Sequence, residues 1–154
     1  MHPHAESVTP FVDPSFVPPA GLDTPDFRLR PLGPEHNASD FDAWTSSIDH
    51  IHATPGWQGS DWPMPMTLEA NRGDLKRHAA DFAARGGFTY TVLVAGSDEV
   101  IGCVYIYPAK DGPGAHVRSW VRAADASRDA PLYRAVADWL AREWSFIRVV
   151  YAER

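Results

Sequence analysis

The segment GAHVRSWVR, residues 114–122, concentrates side chains that can do chemistry. Its alternation is that of a strand, so His116, Arg118, Trp120 and Arg122 share one face. His116 is the one group there that titrates near neutral pH. A face carrying His, Arg, Trp and Arg is unusual for a buried sheet and points to a wet cleft or an interface. A second rich stretch is HIHATPGWQGSDWPMPM, which holds His50, His52, Trp57, Asp61 and Trp62. A loop lined by tryptophan and methionine suits an apolar ligand pocket, a contact surface or a cap on the core. His50, His52 and Asp49 do not suggest a metal site. Residues two apart on a helix do not face each other, and no cysteine or strong third ligand is near in sequence. Asp74 and His78, at i,i+4, read as a helix-surface pair. Cys103 reads as a small core residue, and Gly102 beside it as a bulge or a close backbone approach. No Ser-His-Asp or Cys-His order favours a hydrolase.

The stretch SWVRAADASRDAPLYRAVADW runs strand, turn, helix. A helix entered this way can hold an anion on its first amides. Here the turn has no glycine, Pro131 lacks an N–H, and Asp129 places a negative charge where the anion would lie. Asp129 therefore reads as an N-cap, with Pro131 tolerated in the first turn. Replacing Asp129 by alanine is then expected to cost on the order of 1 kcal/mol.

The elements that position these residues can be read along the chain. Residues 1–26 form a proline-rich arm with Pro3, Pro10, Pro14, Pro18, Pro19 and Pro25. Proline makes the arm extended, and Phe11, Phe16, Val17 and Leu22 are apolar beads that can lie on the domain or on a second copy of the chain. A homodimer is one expectation. Residues 27–154 form the domain. FRLRPL alternates as a strand. Ser39 is placed to cap a helix with Phe41, Trp44, Ile48 and Ile51 at helical spacing. Thr67 starts a second helix, which Gly86 ends, with Leu68, Leu75, Ala79 and Phe82 inward. Two β-rich runs flank the turn Gly96-Ser97-Asp98 as a hairpin. The strand AHVRSWVR, the helix PLYRAVADWLAREW and the strand FIRVVYAE follow. The order is β-α-α-β-β-β-α-β, an α/β (α+β) domain. Its last helix is long enough for a parallel crossover.

Composition sets limits. The 154 residues carry a net charge of −6, with 44% hydrophobic and 22% charged residues. That is the make-up of a globular protein with one core, and the charge argues against nucleic acid as a partner. No apolar run approaches the roughly 20 residues that span a bilayer, and the N-terminus has no basic-then-apolar signal, so no membrane partner is expected. Cys103 is the only cysteine. No internal disulfide can form, which fits a cytoplasmic location.

The order of elements, with FTYTVLVAGSDEVIGCVYIYP and then a strand ending in WVR, resembles the GNAT family of N-acetyltransferases over about Phe27 to Arg154. The resemblance implies a central mixed sheet, acetyl-CoA as co-substrate and an amine of a small molecule or peptide as acceptor. It implies that the backbone of Trp120, Val121 and Arg122 meets the pantetheine arm, and that Ser127 and Arg128 stand at the pyrophosphate. It makes His116 the candidate base. His52, Trp57, Asp61 and Trp62 become the candidate acceptor pocket. The family's Arg/Gln-x-x-Gly-x-Gly/Ala turn is degenerate here, and the family usually continues with a further helix and two strands. A GNAT-fold binding or assembly module that has lost CoA binding is the alternative.

Overall fold

The computed structural model describes residues 9–154, so Pro3 and the rest of the arm's first eight residues lie outside the described residues. Six strands form one mixed sheet in chain order: β1 (Leu22–Asp23), β2 (Phe27–Pro31), β3 (Phe88–Val94), β4 (Val100–Pro108), β5 (Ala115–Val121) and β6 (Val149–Tyr151). Neighbours are antiparallel as far as β5, and β6 runs parallel to it, as the crossover requires. Helices α1 (Asn37–Thr45), α2 (Ile48–Ala53) and α3 (Leu68–Ala83) supply one core. Helix α4 (Asp129–Glu143) packs in the other. Compared with the expected order, the arm adds β1 and the first helix is split in two. The strand expected over FIRVVYAE forms only at Val149–Tyr151.

Alternation along the strands divides the sheet's faces. Phe88, Tyr90 and Val92 of β3, with Val104 and Ile106 of β4, are fully buried in the core that holds Leu132, Val136, Trp139 and Leu140 of α4. Leu93, Cys103 and Trp120 belong to the core of α1, α2 and α3. Val92 pairs with Gly102 and Leu93 with Val100, so Ile101 is an extra residue on β4. The expected bulge and the expected close approach both occur here. A Cβ on Gly102 would lie 2.3 Å from the Trp120 carbonyl oxygen.

Several helix ends differ from the sequence reading. The first helix begins at Asn37, so Ser39 sits inside it and its Oγ instead accepts the Val100 amide at 2.9 Å. It breaks at Ser46–Ser47, where both hydroxyls compete for backbone groups. Ser46 Oγ donates to Ala43 O, and Ser47 Oγ accepts the Ala123 amide at 2.8 Å. Thr67 caps α3 as expected, accepting the Ala70 amide at 3.0 Å. Leu68 beside it is 46% exposed rather than inward, and Asn71 takes the buried position in that turn. Asp129 does not cap α4. It is the helix's first residue, and its Oδ2 accepts from Arg154 Nε at 2.6 Å.

The left-handed residue that ends α3 is Arg85, at φ 64°, and not Gly86. The reason lies in the arm. The Arg85 guanidinium donates to the carbonyls of Asp13 at 2.8 Å and Phe16 at 2.7 Å. Tyr90 Oη donates to Pro19 O at 2.7 Å. Phe11 stacks between Phe88 and Phe146, and Phe16 packs on Trp144. The arm thus lies on the α4 core and adds to the β2 edge. Its described residues do not cover the β6 edge, where Val149 and Val150 are 39% and 38% exposed. Both Arg85→Ala and Arg85→Gly lose the arm's two hydrogen bonds, but only glycine accepts the left-handed backbone freely. The glycine variant should therefore be the more stable of the two by about 0.5–1 kcal/mol. Urea denaturation checks this, and proteolysis should cut the arm faster in both variants than in the wild type.

Candidate functional site

Strands β5 and β6 pair only at Ala115–Val149, His116–Val150 and Val117–Tyr151. Beyond Val117 the two strands part, and backbone groups on that side of β5 need other partners. The Ser119 carbonyl finds two: Trp57 Nε1 donates at 2.9 Å and Arg154 Nη2 at 2.8 Å. Ser119 Oγ and Tyr151 Oη are 2.6 Å apart. Arg154, its side chain 4% exposed, spans the gap from Ser119 to Asp129. The other carboxylate oxygen of Asp129 is buried without a partner. Burial pushes the Tyr151 phenol up, so it stays a neutral hydroxyl.

The turn after β5 is a 3-10 stretch, Ala123–Arg128. Its amides are partly committed: Asp125 N–H donates to Arg122 O, and Asp129 N–H to Ala126 O. Arg122 pairs with Asp125, and with Glu99 at 3.0 Å. Arg128 Nε lies 3.8 Å from Asp125 Oδ1, and Ser127 is exposed. The cationic side chains of this turn thus already face carboxylates.

On the helical side of the sheet lies a cavity of about 700 Å³. Helix α1 contributes Asp40, and the loop after α2 contributes Trp57 and Trp62. Helix α3 contributes Asn71 and His78, β4 contributes Tyr105 and Tyr107, and β5 contributes His116 and Arg118. The Arg118 guanidinium lies over the Trp57 ring, 4.1 Å from its centroid. Trp57 is therefore both a wall of the cavity and a donor into the strand gap, so the two spaces are one indole ring apart.

The candidate residues fall into distinct places. His116, Trp57 and Trp62 meet in the cavity. Trp120 is buried beside it, with Nε1 donating to Tyr105 Oη at 3.0 Å. Val121 is buried in the α4 core, and Arg122, Ser127 and Arg128 belong to the turn. His52 holds the loop, its Nε2 donating to Pro63 O at 2.6 Å, and Asp61 is exposed. Among the described residues no three His, Cys, Asp or Glu side chains are placed to hold a metal.

Asp40, Asn71, His78 and Tyr105 were not among the expected site residues. Asn71 Nδ2 donates to Asp40 Oδ2 at 3.0 Å and to Asn37 Oδ1 at 2.8 Å, and Asn71 Oδ1 accepts from Trp44 Nε1 at 3.1 Å. His78 is not part of a surface pair with Asp74, whose carboxylate instead accepts from Arg77 at 2.8 Å. Its Nδ1 lies 2.9 Å from Tyr107 Oη and 3.2 Å from Thr89 Oγ1. The Tyr107 hydroxyl gives its hydrogen to Asp81 at 2.8 Å, so His78 Nδ1 donates and Nε2 keeps its lone pair. The available signal was a polar residue in an apolar stripe. Asp40 precedes Trp44 by one turn, and Asn71 and His78 flank Leu75 at helical spacing.

Burial pushes the Asp40 carboxyl up to about 6, with the nearby Asp74 charge adding. Burial, then Arg77, pushes His78 down to about 4. Burial, then the charges of Arg118 and Lys110, lowers His116. All three are thereby set for one form near neutral pH: Asp40 ionised, both histidines neutral.

No protein-family model matches the chain, and no curated protein matches it by sequence. Its fold has many solved counterparts. A ribosomal L7/L12 alpha-N-protein acetyltransferase superposes at a TM-score of 0.67 with 14% identity, over 89% of this chain and 76% of that one. A ribosomal-protein-S5-alanine acetyltransferase from Vibrio fischeri gives 0.65 and 14%, over 86% and 73%. A microcin C7 self-immunity acetyltransferase, solved with acetyl-CoA and AMP, gives 0.60 and 9%, over 80% and 66%. The chain has the GNAT fold.

Two of the shifted groups in the cavity, Asp40 and His78, oppose each other with pH. Native Asp40 holds its proton to about 6 against an ordinary 3.8, so its contribution to stability falls as pH rises through that window. Native His78 resists protonation until about 4 against an ordinary 6.5, so its contribution rises over nearly the same window. In Asp40→Asn the His78 slope is no longer opposed by that of Asp40. Its stability should climb between about pH 4 and 6.5 by on the order of 2 kcal/mol more than the wild type's. His78→Gln should show the reverse slope. Urea midpoints across that pH range test both.

Proposed function

We propose that this chain is an acetyl-CoA-dependent N-acyltransferase whose acceptor is an amine of a small molecule or peptide held in the cavity. The observation that carries this is the double position of Trp57. It stands between an aromatic cavity and the β5–β6 gap, beside the β5 residues Trp120 and Val121 on whose backbone the resemblance puts the pantetheine arm. The GNAT-fold structures it superposes on include proteins described as acetyltransferases of ribosomal proteins and of a microcin immunity system. In this reading the amine nitrogen attacks the thioester carbonyl carbon, the C–S bond breaks, and the amine's proton leaves to a base. His116, on β5 at the cavity, is the candidate base, because burial and two neighbouring cations keep it neutral at physiological pH. The thiolate takes its proton from an acid or from water.

A second reading rests on the gap itself. The Ser119 carbonyl is bound by Trp57 and Arg154, and Asp129 brings a carboxylate to the start of α4. A donor in this gap must displace Arg154 and meet a like charge. That favours a GNAT-fold binding module without acyl transfer.

Removing both members of the ion pair separates the two. With Arg154→Ala and Asp129→Ala together, acetyl-CoA should bind about tenfold more tightly than to the wild type in calorimetry. With an amine present, thiol release should follow, and His116→Ala should lower its rate by about a hundredfold without weakening acetyl-CoA binding. Absence of acetyl-CoA binding in both the wild type and the double variant would establish the binding module instead.

A further inference from the structure

Arg118 is a cation for which the fold supplies no anion. It lines the cavity from β5, half-buried, with its guanidinium over the Trp57 ring. Every other arginine among the described residues that is not exposed pairs with a carboxylate or donates to a carbonyl. Arg118 does neither among those residues. Burial lowers its pKa, and no carboxylate is close enough to raise it again. A guanidinium carries five N–H donors at the edges of its plane. Stacking on Trp57 fixes that plane and leaves the edges for an acceptor.

Charge is divided across the cavity. The helical wall carries Asp40, Asp74 and Asp81, with Arg77 among them. These carboxylates have donors: Arg77 for Asp74 at 2.8 Å, the Tyr107 hydroxyl for Asp81 at 2.8 Å and Asn71 for Asp40 at 3.0 Å. The wall formed by β5 and the loop before it carries Lys110, His116 and Arg118 and no carboxylate. Asp111, next to Lys110 in the chain, is taken by Arg148 at 3.1 Å. An anion in the cavity is therefore drawn to Arg118, with the exposed Lys110 at the rim. The carboxylates opposite resist a second negative charge, so a carboxylate fits better than a phosphate. A planar carboxylate also matches the guanidinium fork through two parallel N–H···O bonds.

We propose that Arg118, assisted by Lys110, is an anion site that holds a carboxylate carried on an aromatic or aliphatic body in this cavity. The apolar lining residues Leu32, Trp62 and Leu75 give such a body its contacts. His116 lies two residues from Arg118 on the same strand face, so a ligand held this way sits beside the candidate base. In the acyl-transfer reading the acceptor is then an amine that also bears a carboxylate. That assignment rests on the acyl-transfer reading, and the anion site does not.

The test is calorimetry with the full chain at pH 7.5. The probes are 3-phenylpropionate, its neutral analogue 3-phenylpropanamide and the phosphonate analogue 2-phenylethylphosphonate. The propionate should bind at least about tenfold more tightly than the amide, and more tightly than the phosphonate. Arg118→Gln should remove the preference over the amide while leaving the amide's affinity unchanged. Arg118→Lys keeps the charge but not the fork, and should retain only part of the preference. Lys110→Ala should weaken the propionate less than Arg118→Gln does. Equal binding of propionate and amide, no binding of either, a preference that survives in Arg118→Gln, tighter binding of the phosphonate, or a larger loss in Lys110→Ala would overturn the inference. Should Arg118→Gln not fold, the three wild-type affinities and Arg118→Lys decide, full preference in the lysine variant counting against the inference. Propionate binding by a chain that binds no acetyl-CoA, as wild type or with Arg154→Ala and Asp129→Ala together, would leave this inference standing and overturn the acyltransferase reading. Acetyl transfer at equal kcat/KM to amines with and without a carboxylate would do the opposite.

Discussion

The carbonyl of Ser119 sets the terms for the functional half of the molecule. Once β6 leaves β5 after the Val117–Tyr151 pair, this buried acceptor has lost its ladder. A buried carbonyl without a donor costs about 1–3 kcal/mol, so the fold supplies two donors from distant parts of the chain. Trp57 comes from the loop after α2 and Arg154 from beyond β6. Each donor fixes further structure. Placing the Trp57 indole fixes a cavity wall, and placing Arg154 draws in Asp129 and so ties the start of α4 to the residues after β6.

The cavity depends on a second polar unit. Asn71 joins α3 to α1 through Asp40 and Asn37, and Trp44 Nε1 completes its bonding. Here the paired helices are held by amides and a carboxylate, whose hydrogen bonds fix the spacing of the helices beside the cavity. The same residues therefore fix the helix pair and leave Asp40 Oδ1 without a protein donor among the described residues. Stability and the capacity to bind a ligand draw on the same atoms, as is common where buried charge is retained.

Much of this was legible in the sequence, for identifiable reasons. Strands β2 to β5 and α4 follow from strict periodicities that tertiary contacts reinforce. Thr67 was legible as a cap because its hydroxyl has no better partner than Ala70. Ser39 and Asp129 look equally like caps, but each finds a long-range partner, the Val100 amide and the Arg154 guanidinium, more than twenty residues away. Local chemistry cannot announce such a partner. Arg85 takes the left-handed position beside a glycine that suits it better, because its side chain holds the arm. At the site, His116, Trp57 and Trp62 stand out by residue type. Asp40 and His78 are isolated polar residues in apolar stripes, and only the closing of α1 and α3 over β4 turns them into one wall.

Trp57 is the side chain that borders both spaces. Its ring is stacked by Arg118 on one side and touches Trp62 at a 5.4 Å centroid separation, while its N–H is fixed on Ser119. Trp62 in turn contacts Tyr105 and Trp120. Packed rings of this kind do not deform continuously; they hold their arrangement or change it together. If the indole shifts, the Ser119 carbonyl keeps only Arg154 as donor, and the gap becomes easier to open. If it stays, the gap remains closed by two donors. The cavity wall and the closure of the gap thus share one side chain, Trp57, whose N–H donates to Ser119 O at 2.9 Å. Any coupling between them is reciprocal, since binding in one space can favour an arrangement only to the extent that the other space favours it too.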